Sequence, residues 1–248
     1  MIPVLTEAFL DLFYPHTCAM CRGYMDDGVS AIPRRERRVL CEDCLRTLPR
    51  TEQALIQDND TEMTLWGAVR SRAAAKKVLH LDHAAAFLFF EKGHPVQDMI
   101  HAMKYAEQPE IGFYLGKQAA IEFQYTDFFD GIDIIMPVPL HPERLRERGY
   151  NQSEYIAAGL SKITGIPLDT THLTRIRNTP KQAQRRGEER KQNVLDAFAV
   201  NHPEQLYHKH ILLVDDIITT GETVRSCLSA MRLFRGAVFS VFALCKAQ

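Results

Sequence analysis

The chain has no apolar run near the roughly 18 residues that a membrane span needs; its longest candidate, Ala84 to Phe90, falls far short. Early positive charge is also missing. The opening stretch MIPVLTEAFLDLFYP carries Glu7 and Asp11 instead, which argues against a secretory signal and for a cytoplasmic protein. Leu5, Phe9, Leu12 and Phe13 share one helical face there, so a short docking helix is expected in place of a membrane anchor. Net charge is almost absent: the formal charge is −1, with 46% hydrophobic and 25% charged residues, the make-up of a soluble globular protein with no global pull toward nucleic acid or membrane. No repeat or low-complexity segment occurs. Ser153 lacks a Gly-x-Ser-x-Gly elbow and no serine is spaced to His141 and an acid, which removes a hydrolase triad. At 248 residues the chain accommodates one large domain, or an ordinary one with a small appendage.

What is present is concentrated. From His141 to Lys191 eleven Lys or Arg face six Asp or Glu, a local +5 against about −6 elsewhere, so a polyanionic ligand is expected near that segment. Cys18-Ala-Met-Cys21 and Cys41-Glu-Asp-Cys44 form two C-x-x-C pairs. Each pair puts two sulfurs on one tight turn, and four thiolates close a tetrahedral site, so the pattern reads as a structural zinc ribbon. A redox pair or an iron–sulfur cluster are the alternatives. His16 is surplus to that set, and Cys227 and Cys245 read as inert core residues. Pro33 to Arg38 makes a basic tip between the pairs, read as a solvated loop before a nucleic-acid contact.

Polar residues without periodicity from Arg50 to Asp60 read as a linker, dividing residues 1–50 from a larger domain at 61–248, with 51–60 between them. Ala84 to Glu91 is a predicted strand, Val96 to Tyr105 a helix with Lys104 suiting the dipole at its end, and Ile111 to about Phe123 a second helix. The buried strand Ile132 to Val138 runs into Pro139-Leu-His-Pro-Glu-Arg144-Leu-Arg146-Glu-Arg148, a proline-rich turn with clustered arginines. A helix follows from Tyr155 to Ile163, ending at Gly165. Strands are expected at Thr171 to Ile176 and Ala197 to Val200. Between them, Arg175 to Asn193 carries seven Lys or Arg and two Glu with almost no large apolar residue. It reads either as a lid whose Lys181, Arg185, Arg186 and Arg190 close over an anion, or as a solvated loop.

The most telling stretch is Ile211 to Val224, ILLVDDIITTGETV. Its four leading apolar residues make a buried parallel strand, the carboxylates Asp215 and Asp216 stand where that strand ends, and an apolar-periodic helix runs from Val224 to Leu233. Ligands bind at the carboxyl ends of strands in an open α/β sheet, and a helix N-terminus suits phosphate. Thr219, Thr220 and Thr223 add hydroxyls, and Gly221 permits close backbone approach. A phosphate alone would be repelled by the acids, so they face hydroxyls or a metal ion one sugar's width away. Strand-end capping by Asp and Thr is the plain alternative. A Walker A loop is excluded, because no Gly-Lys-Ser/Thr ending is present.

This stretch resembles the phosphoribosyl-diphosphate (PRPP) signature of type I phosphoribosyltransferases. The resemblance implies that Asp215 and Asp216 hold the ribose hydroxyls, that Thr219, Thr220, Gly221, Glu222 and Thr223 wrap the 5-phosphate, and that Arg144 and Arg148 grip pyrophosphate. The order of cysteine pairs, PVPLHPERLRERGYNQ, RNTPKQAQRRGEERKQN and VDDIITTGET is similar to that of the ComF family, competence-associated phosphoribosyltransferase-like proteins, almost end to end. Glu222, where many relatives carry a small residue, departs from the pattern. The resemblance implies an α/β fold of type I phosphoribosyltransferase kind, with a mainly parallel sheet and a small N-terminal zinc-ribbon module. It implies Mg²⁺ with PRPP, zinc at Cys18, Cys21, Cys41 and Cys44, and a role in DNA uptake with the competence machinery. The expected chemistry is a PRPP-dependent, pyrophosphate-releasing glycosyl transfer in which Asp215, Asp216, Arg185 and Arg186 act on the reacting groups. A non-catalytic PRPP sensor or a single-stranded-DNA-handling protein is the alternative.

Overall fold

The structure, a computed structural model of the 248-residue chain, describes residues 16–25, 36–51, 80–177, 197–232 and 234–247. The expected N-terminal docking helix, most of the linker and the arginines 185, 186 and 190 lie outside the described residues.

The elements in chain order are α1 (Glu42–Arg46), β1 (His80–Phe90), α2 (Pro95–Tyr105), α3 (Glu110–Phe123), β2 (Ile134–Pro137), α4 (Pro142–Arg148) and α5 (Gln152–Thr164), then β3 (Leu173–Arg175), β4 (Phe198–Val200), β5 (His210–Ile218), α6 (Glu222–Met231) and β6 (Val238–Ala247). Four strands form one parallel sheet in the order β1-β6-β5-β2, and β3 pairs antiparallel with β4 beside it. The uniformly apolar run Ile211 to Val214 therefore belongs to an inner strand, buried on both faces as its composition demands.

Each face of the sheet carries its own core. Leu212 and Val214 point with Val96, Met99, Ile100 and Met103 of α2 and with the buried residues of α3 and α5. Ile211 and Leu213 point the other way, toward Val224, Cys227, Leu228 and Met231 of α6 and Leu173 and Phe198 of the small sheet. Helices α3 and α5 cross with their backbones nearly touching. A Cβ on Gly116 would collide with the Ile156 carbonyl oxygen, and one on Gly159 with that of Phe113, so both positions need glycine.

The described part of the first fifty residues is fused to this frame. Cys18, Met25, Val39, Leu40, Cys44 and Leu48 share the core of α2 and α3. Arg50 bridges to Leu88 of β1 and its guanidinium donates to Glu122 at 2.8 Å, while the Thr51 amide donates to the Phe87 carbonyl at 3.0 Å. The stretch read as a linker thus begins with two residues bonded along the edge strand of the sheet.

Two local expectations change. The strand of the signature does not stop at Val214; it continues through both acids to Ile218, because β6 goes on pairing with it (Asp215 opposite Ala243, Ile217 opposite Cys245). The proline-rich turn after β2 folds into the helix α4, since Pro142 occupies the first turn, where its missing N–H costs nothing, and Gly149 closes the other end at φ 78°.

Candidate functional site

The site forms where β2 ends before β5 does. The ladder between them runs Ile134–Ile211 to Pro137–Val214, and Val138 donates one last bond to the Val214 carbonyl at 2.8 Å. On that side, among the described residues, Asp215 and Asp216 have no neighbouring strand. The gap is filled by the start of α5, which the sequence pins in place. Asn151 caps α5 by accepting from the Ser153 amide at 3.2 Å, while its side-chain NH₂ donates to the Val138 carbonyl at 3.1 Å. The first two residues of α5, Gln152 and Ser153, are thereby set against the acids.

Consecutive residues of a strand face opposite sides, so the two carboxylates enter different surroundings. Asp216 lies on the α2 and α5 side. Its Oδ2 accepts from Gln152 Nε2 at 2.7 Å and from Lys104 Nζ at 2.9 Å, and its Oδ1 accepts from the Ile217 amide at 2.6 Å. Asp215 lies on the α6 side, and its Oδ1 accepts from the Asp216 amide at 2.8 Å and the Ser153 hydroxyl at 3.4 Å. Both residues are nearly closed to solvent, at 8% and 7% exposure. Burial, and then the neighbouring Asp216 charge, push the Asp215 carboxyl up to about 7.

Lys104 comes from the last turn of α2. That helix starts just beyond the edge strand β1 and delivers its far end to β5. Its last residue, Tyr105, is 55% exposed and lies under the Arg148 guanidinium, 4.7 Å from the ring centre. Arg148 donates to the Tyr105 hydroxyl at 3.1 Å and to Gln152 Oε1 at 3.0 Å. Because Gln152 presents its carbonyl to Arg148 and its NH₂ to Asp216, one side-chain amide joins the arginine of α4 to the acid of β5. Tyr150 closes the same corner by donating to the Met103 carbonyl.

Beyond the acids, residues 219–221 turn into α6, with Gly221 as its N-cap at φ 69°. Thr219 and Thr220 are exposed, and Thr223 and Glu222 lie in the first turn, half-buried. Glu222 stands 3.7 Å from Arg225, one turn on. Arg144, half-buried in α4, and Arg175, at the end of β3 over the Phe198 ring, bring further cations to the Asp215 side. Burial and the Arg144 charge lower the affinity of Arg175 for its proton, and Asp215 is among the charges that raise it. The signature acids, the Gly221 turn, Arg144 and Arg148 thus gather at one end of the sheet. Lys104, Gln152, Ser153 and Arg175 complete that corner although the sequence pattern did not single them out for it; Lys104 reads locally as a helix-end cation, and Gln152 and Ser153 precede the helix expected from Tyr155, which in the structure starts at Gln152.

The four cysteines form a second centre. Their sulfurs lie within 4.8 Å of one another, with Cys21 and Cys41 at 3.9 Å. A tetrahedral ion with metal–sulfur bonds of about 2.3 Å needs sulfurs roughly 3.8 Å apart, so the set fits a zinc-sized ion. Backbone amides of Gly23 and Cys41 point at Cys21 and Cys18 sulfurs, both at 3.4 Å, as outer donors to a thiolate would. Burial opposes ionisation of Cys18, but backbone amides of Cys21, Cys41 and Met20 outweigh it and bring the thiol down to about 7. Cys44 is pushed up, first by burial and then by its three sulfur neighbours. Four thiols this close ionise together only around a cation. Among the described residues no other group of three or more His, Cys, Asp or Glu side chains is so gathered.

No protein-family model matches the chain. Among solved structures, an allosteric regulatory enzyme of purine biosynthesis aligns at TM-score 0.34 and 21% identity, over 56% of this chain and 25% of that one. Adenine phosphoribosyltransferase from Leishmania tarentolae aligns at TM-score 0.34 and 14% identity, over 58% and 74%. In sequence, the chain is 34% identical over 117 residues to competence protein F of Haemophilus influenzae, covering 46% of this chain and 51% of that protein. The DNA utilization protein YhgH of Escherichia coli K12 is 31% identical over 155 residues, and the match takes in 61% of this chain and 67% of YhgH. An identity of that level, sustained over two thirds of the relative, is common descent, and it agrees with the motif order from the cysteine pairs to VDDIITTGET: the chain belongs to the ComF family of competence-associated proteins.

Proposed function

We propose that the chain binds PRPP at the carboxyl end of β5 and transfers its phosphoribosyl group to an acceptor, releasing pyrophosphate. The observation that carries this reading is the juxtaposition, at one sheet end, of a buried carboxylate pair, a glycine-headed helix N-terminus and the arginines of α4. One subsite is acidic and two attract anions, as a ribose flanked by a 5-phosphate and a diphosphate would demand. Asp215 and Asp216 would orient the ribose hydroxyls. The turn Thr219 to Thr223 would hold the 5-phosphate with threonine hydroxyls and the free amides of α6. Glu222, drawn toward Arg225, would be the residue of that turn least suited to phosphate.

Arg144 and Arg148, with Arg185 and Arg186 from outside the described residues, would take the diphosphate oxygens in forked hydrogen bonds. As the acceptor forms its bond to the anomeric carbon, the bond from that carbon to the diphosphate oxygen breaks, and its electron pair leaves with pyrophosphate. The arginines stabilise that departing charge. Mg²⁺ is part of the substrate here, carried by the diphosphate. Zinc at Cys18, Cys21, Cys41 and Cys44 would be structural, since all four positions belong to the protein. The names of the relatives, a DNA utilization protein and a competence protein, support a role for this chemistry in the use of DNA by competent cells.

The test is a triple neutralisation of Arg185, Arg186 and Arg190. A lid that acts as pyrophosphate leaves predicts PRPP affinity within a few-fold and pyrophosphate release, with candidate acceptors, depressed by roughly a hundredfold. Loss of PRPP affinity without any turnover to lose would instead mark a sensor. A shallower salt dependence of single-stranded-DNA binding would mark a DNA-handling loop.

A further inference from the structure

Adjacent acids at a ligand site invite a divalent cation, but the two acids of β5 are not equally open to one. Asp216 already has protein donors on both oxygens, one of them a cation. The Ile217 amide lies on Oδ1 at 2.6 Å, and Gln152 and Lys104 both lie on Oδ2, at 2.7 and 2.9 Å. Asp215 has donors on Oδ1 only, and among the described residues its Oδ2 takes no hydrogen bond. A magnesium ion shared by the pair would need an Asp216 oxygen at about 2.0–2.1 Å, beside an ammonium already within hydrogen-bond contact of that carboxylate. Two cations on one buried carboxylate exceed its charge. The residues therefore do not fit a resident metal at this pair.

We propose that Lys104 is the resident cation of this carboxylate pair, standing where a divalent ion would otherwise sit, so that the signature acids hold no metal of their own. Lys104 is fixed for that role by its place in the fold. Met99, Ile100 and Met103 anchor its helix in the core, Tyr105 beside it is held under Arg148, and the pair is dry, with side chains only 16% and 10% exposed. Gln152 then holds the Asp216 oxygen toward the ammonium while its other end is tied to Arg148. The arrival of Mg²⁺ with its ligand rests on the PRPP-binding reading; the position of Lys104 does not.

The experiment uses Mn²⁺ as the probe, followed by its paramagnetic resonance, on the full zinc-loaded chain without PRPP. At about pH 8, where carboxylates ionise, Mn²⁺ binding at the acids of the natural protein should be too weak to saturate, and Lys104→Gln should gain a saturable site there, with affinity raised by ~tenfold or more. Lys104→Gln with Asp216→Asn should lose it again. Equal Mn²⁺ binding by the natural protein, abolished by Asp216→Asn alone, overturns the proposal, as does a folded Lys104→Gln that binds none. A second measurement does not depend on how that variant folds. Acetylation of Lys104 by a small acylating reagent, read by mass spectrometry, should rise by ~tenfold or more in the isosteric Asp216→Asn, because the ammonium loses its partner. An unchanged rate sinks the idea. Neither measurement involves PRPP, so a chain that fails to bind PRPP shows that separately, in its own titration.

Discussion

Both centres of this molecule crowd groups of one sign, and they resolve the crowding in opposite ways. At the cysteine knuckles four sulfurs lie within 4.8 Å of one another, and the Gly23 and Cys41 amides that donate to them carry no full charge, which suits a zinc-sized cation among them. At the end of β5 two adjacent carboxylates are buried, and there Lys104 and the Gln152 amide come from the protein itself to meet one of them, Asp216. Anionic side chains in a cluster are thus a metal site only where the fold leaves their charge unmatched. A motif shows the anions. It does not show the cation.

The largest test of this contrast is removal of metal from the knuckles. One zinc per chain is expected by metal analysis, and chelation or Cys41→Ser should cost a large share of the roughly 10 kcal/mol or more that such sites supply. Because Leu40, Cys44 and Leu48 share a core with α2 and α3, amide exchange should quicken in those helices as well as around the cysteines. A metal-free chain with unchanged exchange would break the comparison on this side.

Next in size is Lys104→Met, which leaves a buried carboxylate without its partner. Denaturant unfolding should register a loss of about 3–5 kcal/mol, and the double variant with Asp216→Asn should recover much of it, since no unmatched charge remains. Equal losses in the single and double variants would mean that packing, not charge, was removed.

A smaller effect separates the two acids. Burial and Asp216 raise the Asp215 carboxyl to about 7, from about 3.9 when unfolded, so the folded state binds the extra proton. Its contribution to stability is complete below about pH 4 and is lost as the pH rises through about 7. Asp215→Asn keeps the shape and carries no such dependence. It should be more stable than the natural protein at about pH 8, by on the order of 4 kcal/mol, with the gap closing toward about pH 4. Parallel pH curves for the two would refute the raised value. On ligand affinity, Asp215→Asn and Asp216→Asn should each weaken Mg²⁺-PRPP binding by roughly tenfold, about 1.4 kcal/mol, in a calorimetric titration. Unchanged curves would remove the acids from the ribose subsite.

Much was legible in the chain itself, for reasons of short range. The C-x-x-C pairs need only a tight turn to bring two sulfurs together, and an apolar run such as Ile211 to Val214 has few places to go other than an inner strand. The glycines at 149, 165 and 221 take the positive φ values that end or begin helices, which their neighbours already announce. Strand limits were less legible, because pairing partners set them. Asp215 and Asp216 stand inside β5 only because β6 runs alongside that far, and β6 comes from some twenty residues further along.

Tertiary structure alone decided how the acids are served. Lys104 is more than a hundred residues from Asp216 and Gln152 more than sixty, and neither carries a local pattern that points there. Their meeting depends on α2 reaching from the edge strand to β5, on β2 stopping one residue short of Asp215, and on Asn151 tying α5 to that stopped end. Sequence determined which charged groups the protein owns and which local turns present them. Only the crossing of distant elements determined which charges meet out of water, because the energy of a buried pair depends on contact and dryness, and neither is a property of neighbours along the chain.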